Sequence, residues 1–441
     1  MQTRSVQFAK YVLNTLAIQL FAFLASIAIT IITARVLGPA GRGQYTVLTQ
    51  TTTIAFVIAE LGLGHSVVYY LGTKKLSLKE VASSILIFQI FLGLGIALLI
   101  LLVTYLFQDI IYANIPPQYL WVMAALVPIM LITSSQQSMI QGLYKIPLYN
   151  ILGIIQVAVI LLMLIMLTII VSWALLGAVI AWTCGVIVAF LVTLVVIIRA
   201  KGISFPGIKL EKTVLLLSFG IKSYVGNFLK YLQYRVDIFI LAYFVSSAAV
   251  GYYSVSHAVA EVVWQIPNAI QTVLFPRIAS LTSSAAKGFT PVVCRQTVLI
   301  TSVTCLLLFI AANLIVTFVF GEEYYPSITP LAILLPGVFM LSIWKVLHAD
   351  IVARGYPQLY SYSAGASAVI MIGLDFILIP LWGINGAAVA CTVAYCASTI
   401  LIIYFYLHIS RNSIRDIFIP EASDFSLYKK MWASLITKPD R

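Results

Sequence analysis

The sequence predicts an all-α protein that crosses a membrane many times, with about twelve helices in two pseudo-symmetric six-helix lobes around a central cavity. Hydrophobic residues make up 62% of the 441 and charged residues only 9%, against about a quarter charged in a soluble domain. Apolar runs long enough to span a bilayer, roughly 20 residues each, recur along the whole chain. The two halves also repeat one another.

In order, the spans fall at about 9–35, 43–72, 79–107, 118–142, 148–171, 174–199, 213–245, 250–281, 292–320, 326–353, 357–380 and 384–409. The run over 11–33 exceeds a signal-peptide core and no small-residue cleavage site follows it, so it reads as the first span. With the N-terminus placed in the cytoplasm, the basic loop residues collect on inner segments and only Arg35 and Arg42 fall outside. That bias predicts two cytoplasmic termini. The formal charge of +12 is then a matter of topology and of attraction to anionic inner-leaflet lipid, not a nucleic-acid face. Cys184, Cys294, Cys305, Cys391 and Cys396 sit in or beside apolar runs without metal-ligand spacing and read as small hydrophobes.

The longest outer loop, near 108–118 (QDIIYANIPPQ), is too short for an external catalytic domain. No metal motif, nucleotide loop or nucleophile–base arrangement appears, so no enzyme and no cofactor is expected. The inner loop carries Gly, Pro and charge, and it divides the chain into lobes 1–200 and 213–410, with 201–212 between them and a tail at 411–441. LGPAGRGQYTV (37–47) aligns with VSSAAVGYYSV (245–255) at an offset of 208, pairing Ala40 with Ala248, Gly43 with Gly251, Tyr45 with Tyr253 and Val47 with Val255. VSWALLGAVIA (171–181) aligns with PLWGINGAAVA (380–390) at an offset of 209, pairing Trp173 with Trp382 and Gly177 with Gly386. Six spans per half restore the orientation, so the repeat is parallel and its pseudo-two-fold lies along the membrane normal, as in transporters.

Two stretches break the apolar rule. Over 213–245, Lys222, Gly226, Lys230, Gln233 and Asp237 share a face at about 100° per residue. Over 250–281, His257, Glu261, Gln265, Asn268 and Gln271 do much the same. Ionisable groups facing lipid cost several kcal/mol, so these stripes are expected to face a water-filled cavity.

Lys222 and Lys230 are the candidate cations for an anionic substrate, lysine acting as a point charge for phosphate. The alternatives are that Lys222 snorkels to the interface and that Lys230 pairs with a carboxylate. Arg235 points away from Lys230 and pairs either with Asp237 or with a carboxylate on a neighbouring helix. Glu60, Glu261 and His257 are candidates for coupling to H+ or Na+, or else members of salt bridges and packing. Arg35 and Arg42 flank a Gly- and Pro-rich turn and are either outer anion contacts or interface anchors. Lys345, His348, Asp350 and Asp375 are weaker candidates near span ends. The stretch TSSQQSMIQ (133–141), with Asn14, Gln19 and Gln156, could bond sugar hydroxyls or hold helices together.

TARVLGPAGRGQY (33–45) followed by ELGLGHSVVYY (60–70) resembles the start of bacterial polysaccharide repeat-unit (Wzx-type) flippases. These belong to the multidrug/oligosaccharidyl-lipid/polysaccharide exporter superfamily. YRVDIFILAYFVSSAAVGYY (234–253) and AEVVWQIPNAIQTVLFPRIA (260–279) are similar to that family's central region. The resemblance implies the two-lobed fold shared with multidrug (MATE) exporters. It also implies transport of undecaprenyl-pyrophosphate-linked oligosaccharide across the bacterial cytoplasmic membrane for O-antigen or exopolysaccharide, with a polymerase or ligase as downstream partner. Lys222, Lys230 and Arg235 would then meet the pyrophosphate. The alternatives are a MATE-like exporter of cationic drugs and a membrane polymerase or ligase. Against the exporter, four intramembrane basic residues face five acids, two of which lie near span ends.

Overall fold

The computed structural model describes residues 2–200, 210–279, 283–419 and 421. Those residues form helices and turns, with no strand among them. Nine helices among them are long and apolar enough to cross a membrane. The nine do not include the two stretches that carry the polar stripes. They also count Ile18–Glu60 as one helix, although its backbone bends at Gly38 (φ 63°) just before Pro39.

Helix α1 (Gln2–Glu60) therefore joins the first predicted span to most of the second. The second span does not run on to residue 72. Leu61 and Gly62 both take left-handed backbone angles, φ 49° and 71°, and α2 (Leu63–Gly72) starts afresh. Such a break leaves the first amides of α2 without partners. The Glu60 carboxylate supplies them, accepting from Gly62 N at 2.9 Å and Gly64 N at 2.8 Å. Only glycine fits at residue 62, since a Cβ there would stand 2.2 Å from the carbonyl oxygen of Gly220.

Helix α3 (Leu78–Leu106) opens on a capping box between Ser77 and Glu80. After it come α4 (Pro117–Gly142), α5 (Ile146–Leu164), which widens into a π-helical end at Ile165–Ile170, and α6 (Ala174–Arg199). Then follow α7 (Leu210–Phe244) and α8 (Ser247–Ala260). The eighth predicted span is interrupted by a 3-10 turn at Glu261–Trp264, after which α9 covers Gln265–Ala279. Helix α10 (Ser283–Ile315) ends in a π-helical segment, Val316–Phe320. Helices α11 (Ile328–Ala353), α12 (Pro357–Trp382), α13 (Ile384–Ser410) and the short α14 (Ile414–Phe418) complete the chain.

Two compact units result, one of Met1–Ala258 with Val316–Ser327 and one of Val259–Ile315 with Ile328–Arg441. In the first, α3 and α6 flank α4, α1 packs on α5, and α2 lies between α4 and α7. Leu63, Val67, Ile85, Ile140, Leu152 and Leu216 form its best-buried apolar cluster. In the second, α11 is the hub, packed on α9, α10 and α13.

Inside the first unit the repeat meets itself. A Cβ on Gly43 would lie 1.7 Å from the carbonyl oxygen of Ser247, and one on Gly251 would lie 2.0 Å from that of Pro39. Pro39 and Ser247 stand at the same offset as the two glycines. The contact is thus reciprocal, as a local two-fold axis through it requires.

Candidate functional site

Lys230 is brought to a cavity of about 340 Å³ in the first unit. Its walls come from α1 (Phe56, Val57, Glu60), α2 (His65), α4 (Ser134) and one face of α7 (Tyr224, Asn227, Lys230, Tyr231, Tyr234). The helical spacing of 224, 227, 230, 231 and 234 explains how one helix supplies half the lining. Hydrogen bonds hold α7 against α1 here: Tyr224 donates its hydroxyl to the carbonyl of Ile58 at 3.2 Å, and Tyr231 to Gln50 Oε1 at 2.9 Å. The Lys230 ammonium lies 5.9 Å from the centre of the Tyr234 ring. It makes no ion pair among the described residues.

A second hollow of about 180 Å³ shares Phe56 and Ser134 with the first and adds Met130, Thr133, Gln137, Gln156 and Val186. Three residues from the polar stretch of α4, with Gln156 of α5, thus line one chamber of amides and hydroxyls. A cation at one end and neutral donors and acceptors at the other suit an anionic group joined to a hydroxyl-rich one.

The other sequence candidates are placed differently. Lys222 stands exposed on α7. Glu60 faces the cavity, yet both its oxygens are bonded to α2 amides, so it serves as the cap of that helix. Arg235 lies within electrostatic reach of Arg42, Tyr231 and Asp237. Asp237 is buried and accepts from the Tyr253 hydroxyl at 2.5 Å and from Ile238 N at 2.9 Å. His257 is buried beside Tyr253, their ring centres 5.9 Å apart. Glu261 is the first residue of the 3-10 turn, half-buried.

Arg35 donates to the carbonyls of Phe318 and Val319, closing the end of the Val316–Phe320 segment. Arg42 donates to Thr33 Oγ1 at 2.6 Å and Ser254 Oγ at 3.3 Å, bracing the Gly38 bend. In the second unit Lys345 donates to Asn268 Oδ1 at 2.8 Å over the Trp264 ring, and His348 bonds Gln271. Asp350 is held by Thr290 and Arg354, and Asp375 is fully buried. Gln19 is exposed, and the side chain of Asn14 lies outside the described residues, as does the loop over 201–209.

His65 and Asn227 were missed from sequence. Each is a polar residue inside a predicted span, and that was the available signal.

The all-helical fold, with nine helices among the described residues long and apolar enough to cross a membrane, marks a polytopic membrane protein. Similarity to known proteins narrows this. Residues 31–329 match the polysaccharide biosynthesis protein family, and the chain belongs to it. A probable low-salt glycan biosynthesis flippase of Haloferax volcanii is 26% identical over 188 residues, 41% of this chain and 39% of that protein. The chain thus spans about two fifths of the length of that relative. Among solved structures, the lipid II flippase MurJ in an inward closed conformation aligns with a TM-score of 0.75 at 13% identity, covering 96% of this chain and 93% of its own. An inward-facing multidrug resistance MATE family transporter of the MOP superfamily aligns at 0.70 and 15% identity, covering 91% and 98%. These two likenesses establish a shared fold.

Proposed function

We propose that this protein flips undecaprenyl-pyrophosphate-linked oligosaccharide repeat units from the inner to the outer leaflet of the bacterial cytoplasmic membrane. It works by alternating access of lobes 1–200 and 213–410, with both termini cytoplasmic, and supplies a surface-polysaccharide polymerase or ligase. The observation that carries this is the ammonium of Lys230, without an ion pair among the described residues, in a hollow that shares Phe56 and Ser134 with a chamber lined by Thr133, Gln137 and Gln156. The pyrophosphate is a concentrated anion that loses water on entry, and Lys230 offsets part of that cost. The sugar exchanges water for hydroxyl and amide partners in the adjoining chamber. The polyprenyl tail remains in lipid. Family membership and the flippase role of the Haloferax relative support the same reading.

The test is delivery of undecaprenyl-linked oligosaccharide to the outer leaflet, measured in cells lacking the protein and in cells carrying either the native chain or Lys230→Glu. Build-up of the intermediate on the cytoplasmic leaflet without the protein, unrelieved by a folded Lys230→Glu variant, is the expected result. Unchanged delivery together with raised sensitivity to cationic drugs would instead assign the chain to small-molecule export.

A further inference from the structure

One end of the first unit gathers charge that the proposed function leaves unused. There the last turns of α2, α4 and α6 meet the first turns of α3, α5 and α7, since Leu71, Val81, Ile140, Leu152, Ile197 and Leu216 fall in one buried cluster. Lys74, Lys75, Lys79, Lys145 and Arg199 stand exposed at this end and make no ion pair among the described residues. Of the described acids here, Glu80 is taken by Lys212, which leaves Glu211.

Two of these cations are set by the same backbone device. Helix α2 closes with Lys74 N donating to the Leu71 carbonyl and Lys75 N to that of Tyr70. Helix α4 closes with Tyr144 N donating to the carbonyl of Gln141 and Lys145 N to that of Ile140. Lys74 and Tyr144 take left-handed angles, φ 57° and 59°. Each helix thus ends in a Schellman turn, and each turn places a lysine just past the bend. Glycine is the usual residue at such a bend, as at Gly355 (φ 94°) after α11; here the bends carry an ammonium and a phenol. The two turns are neighbours. A Cβ on Gly72 would lie 3.6 Å from the Tyr144 hydroxyl, and one on Gly142 would lie 2.9 Å from the Leu71 Cβ. Packed helices stand about 8–10 Å apart, a gap that two lysine side chains close around one phosphate.

The surroundings select the kind of anion. The Lys75 ammonium donates to the Tyr69 hydroxyl at 3.2 Å and lies 5.2 Å from the centre of that ring, and Tyr144 is 76% exposed. Tyrosines so placed belong to the boundary between membrane and water. Within two turns of the cations the exposed surface is apolar, at Ile151, Ile198 and Leu215. A soluble anion gains nothing from that surface, whereas a phospholipid sets phosphate on the one and chains on the other. A zwitterionic head group would bring its own cation to a surface with one spare carboxylate.

We propose that this end of the first unit binds an anionic phospholipid, the phosphodiester held between Lys75 and Lys145 and the chains lying along the adjoining apolar surface. The site reaches α7, because the Tyr69 ring beneath Lys75 stacks on Phe219 with ring centres 4.5 Å apart. None of this depends on what the protein transports.

The experiment titrates the full chain in detergent with dioleoyl phosphatidylglycerol or dioleoyl phosphatidylcholine and follows bound lipid by native mass spectrometry. Phosphatidylglycerol should bind roughly ten- to thirtyfold more tightly, since each lysine near the surface contributes about a factor of five. Lys75→Gln and Lys145→Gln should each weaken it about fivefold, and the double variant should bring the two lipids level. Lys75→Arg, which keeps the charge, should keep the preference. Lys287→Gln removes an exposed charge of the second unit and should leave the preference intact. Equal binding of the two lipids, an equal loss from Lys287→Gln, or a preference that survives the double variant would each overturn the proposal. So would displacement of the lipid by inorganic phosphate at the same concentration, which would make the site one for soluble anions.

Discussion

Lys230 and Lys345 are both lysines set within long apolar helices, one in each unit, and their surroundings are opposite. Lys345 is 4% exposed, bonded to Asn268 and laid over the Trp264 ring. Lys230 faces a hollow, its ammonium over the Tyr234 ring at 5.9 Å and without an ion pair or hydrogen-bond acceptor among the described residues. The same contrast holds between carboxylates. Asp350 is fully buried and gripped by Arg354 and Thr290, whereas Glu60 stands at a cavity wall and bonds backbone amides of its own helix junction. Charge that the protein answers with its own groups belongs to the fold. Charge left facing a hollow is available to something that enters it.

The sharpest way to break this comparison is to disturb the answered charges. Arg354→Met leaves Asp350 buried without its cation, which should cost about 3–5 kcal/mol and appear as loss of folded protein. Adding Asp350→Asn should recover most of the yield. A folded, fully active single variant would dissolve the distinction. Lys230→Met should do the reverse, with folded yield unchanged and delivery of lipid-linked oligosaccharide reduced roughly tenfold or more, the loss expected for one charge-assisted hydrogen bond.

Glu60→Gln sharpens the middle of the comparison. The amide keeps one acceptor for the α2 amides, so thermal stability should fall by about 1 kcal/mol, in the range of a lost cap. Transport by the folded fraction should keep its pH profile. A flattened profile at native stability would make Glu60 a proton carrier instead.

The smallest effect lies at α14, outside the spans. The backbone N–H of Ser413, aided by its hydroxyl, holds the Asp416 carboxyl below the usual aspartate range, while Arg295 donates to the carbonyl of Asp416. A depressed folded pKa gives stability that is present above the unfolded value of about 4 and lost as pH falls through the folded value. The protection of α14 amides, taken relative to the intrinsic exchange rate at each pH, should therefore fall on acidification, and Asp416→Asn should flatten that response.

Much of this contrast was legible in the sequence, because charge inside an apolar run is conspicuous wherever it falls. The polar faces of 213–245 and 250–281 and the amide-rich stretch of α4 were visible on that ground. What hydropathy could not reveal was which charge would be answered. Lys345 meets Asn268 from far along the chain, and Arg35 meets the carbonyls of Phe318 and Val319. The break at Leu61–Gly62 was equally hidden. ELGLG reads as continuous apolar helix, and a leucine at positive φ carries no signal of its own. The interruption at Glu261–Trp264 was missed because the hydrophobic period runs through it.

The contact between Gly43 and Gly251 locks together two positions far apart in the chain. Each glycine is hemmed in by the backbone around the other, so neither position can gain a side chain while its counterpart stays in place. A methyl group at either one would have to push the two helices apart, so these two positions can change only in concert.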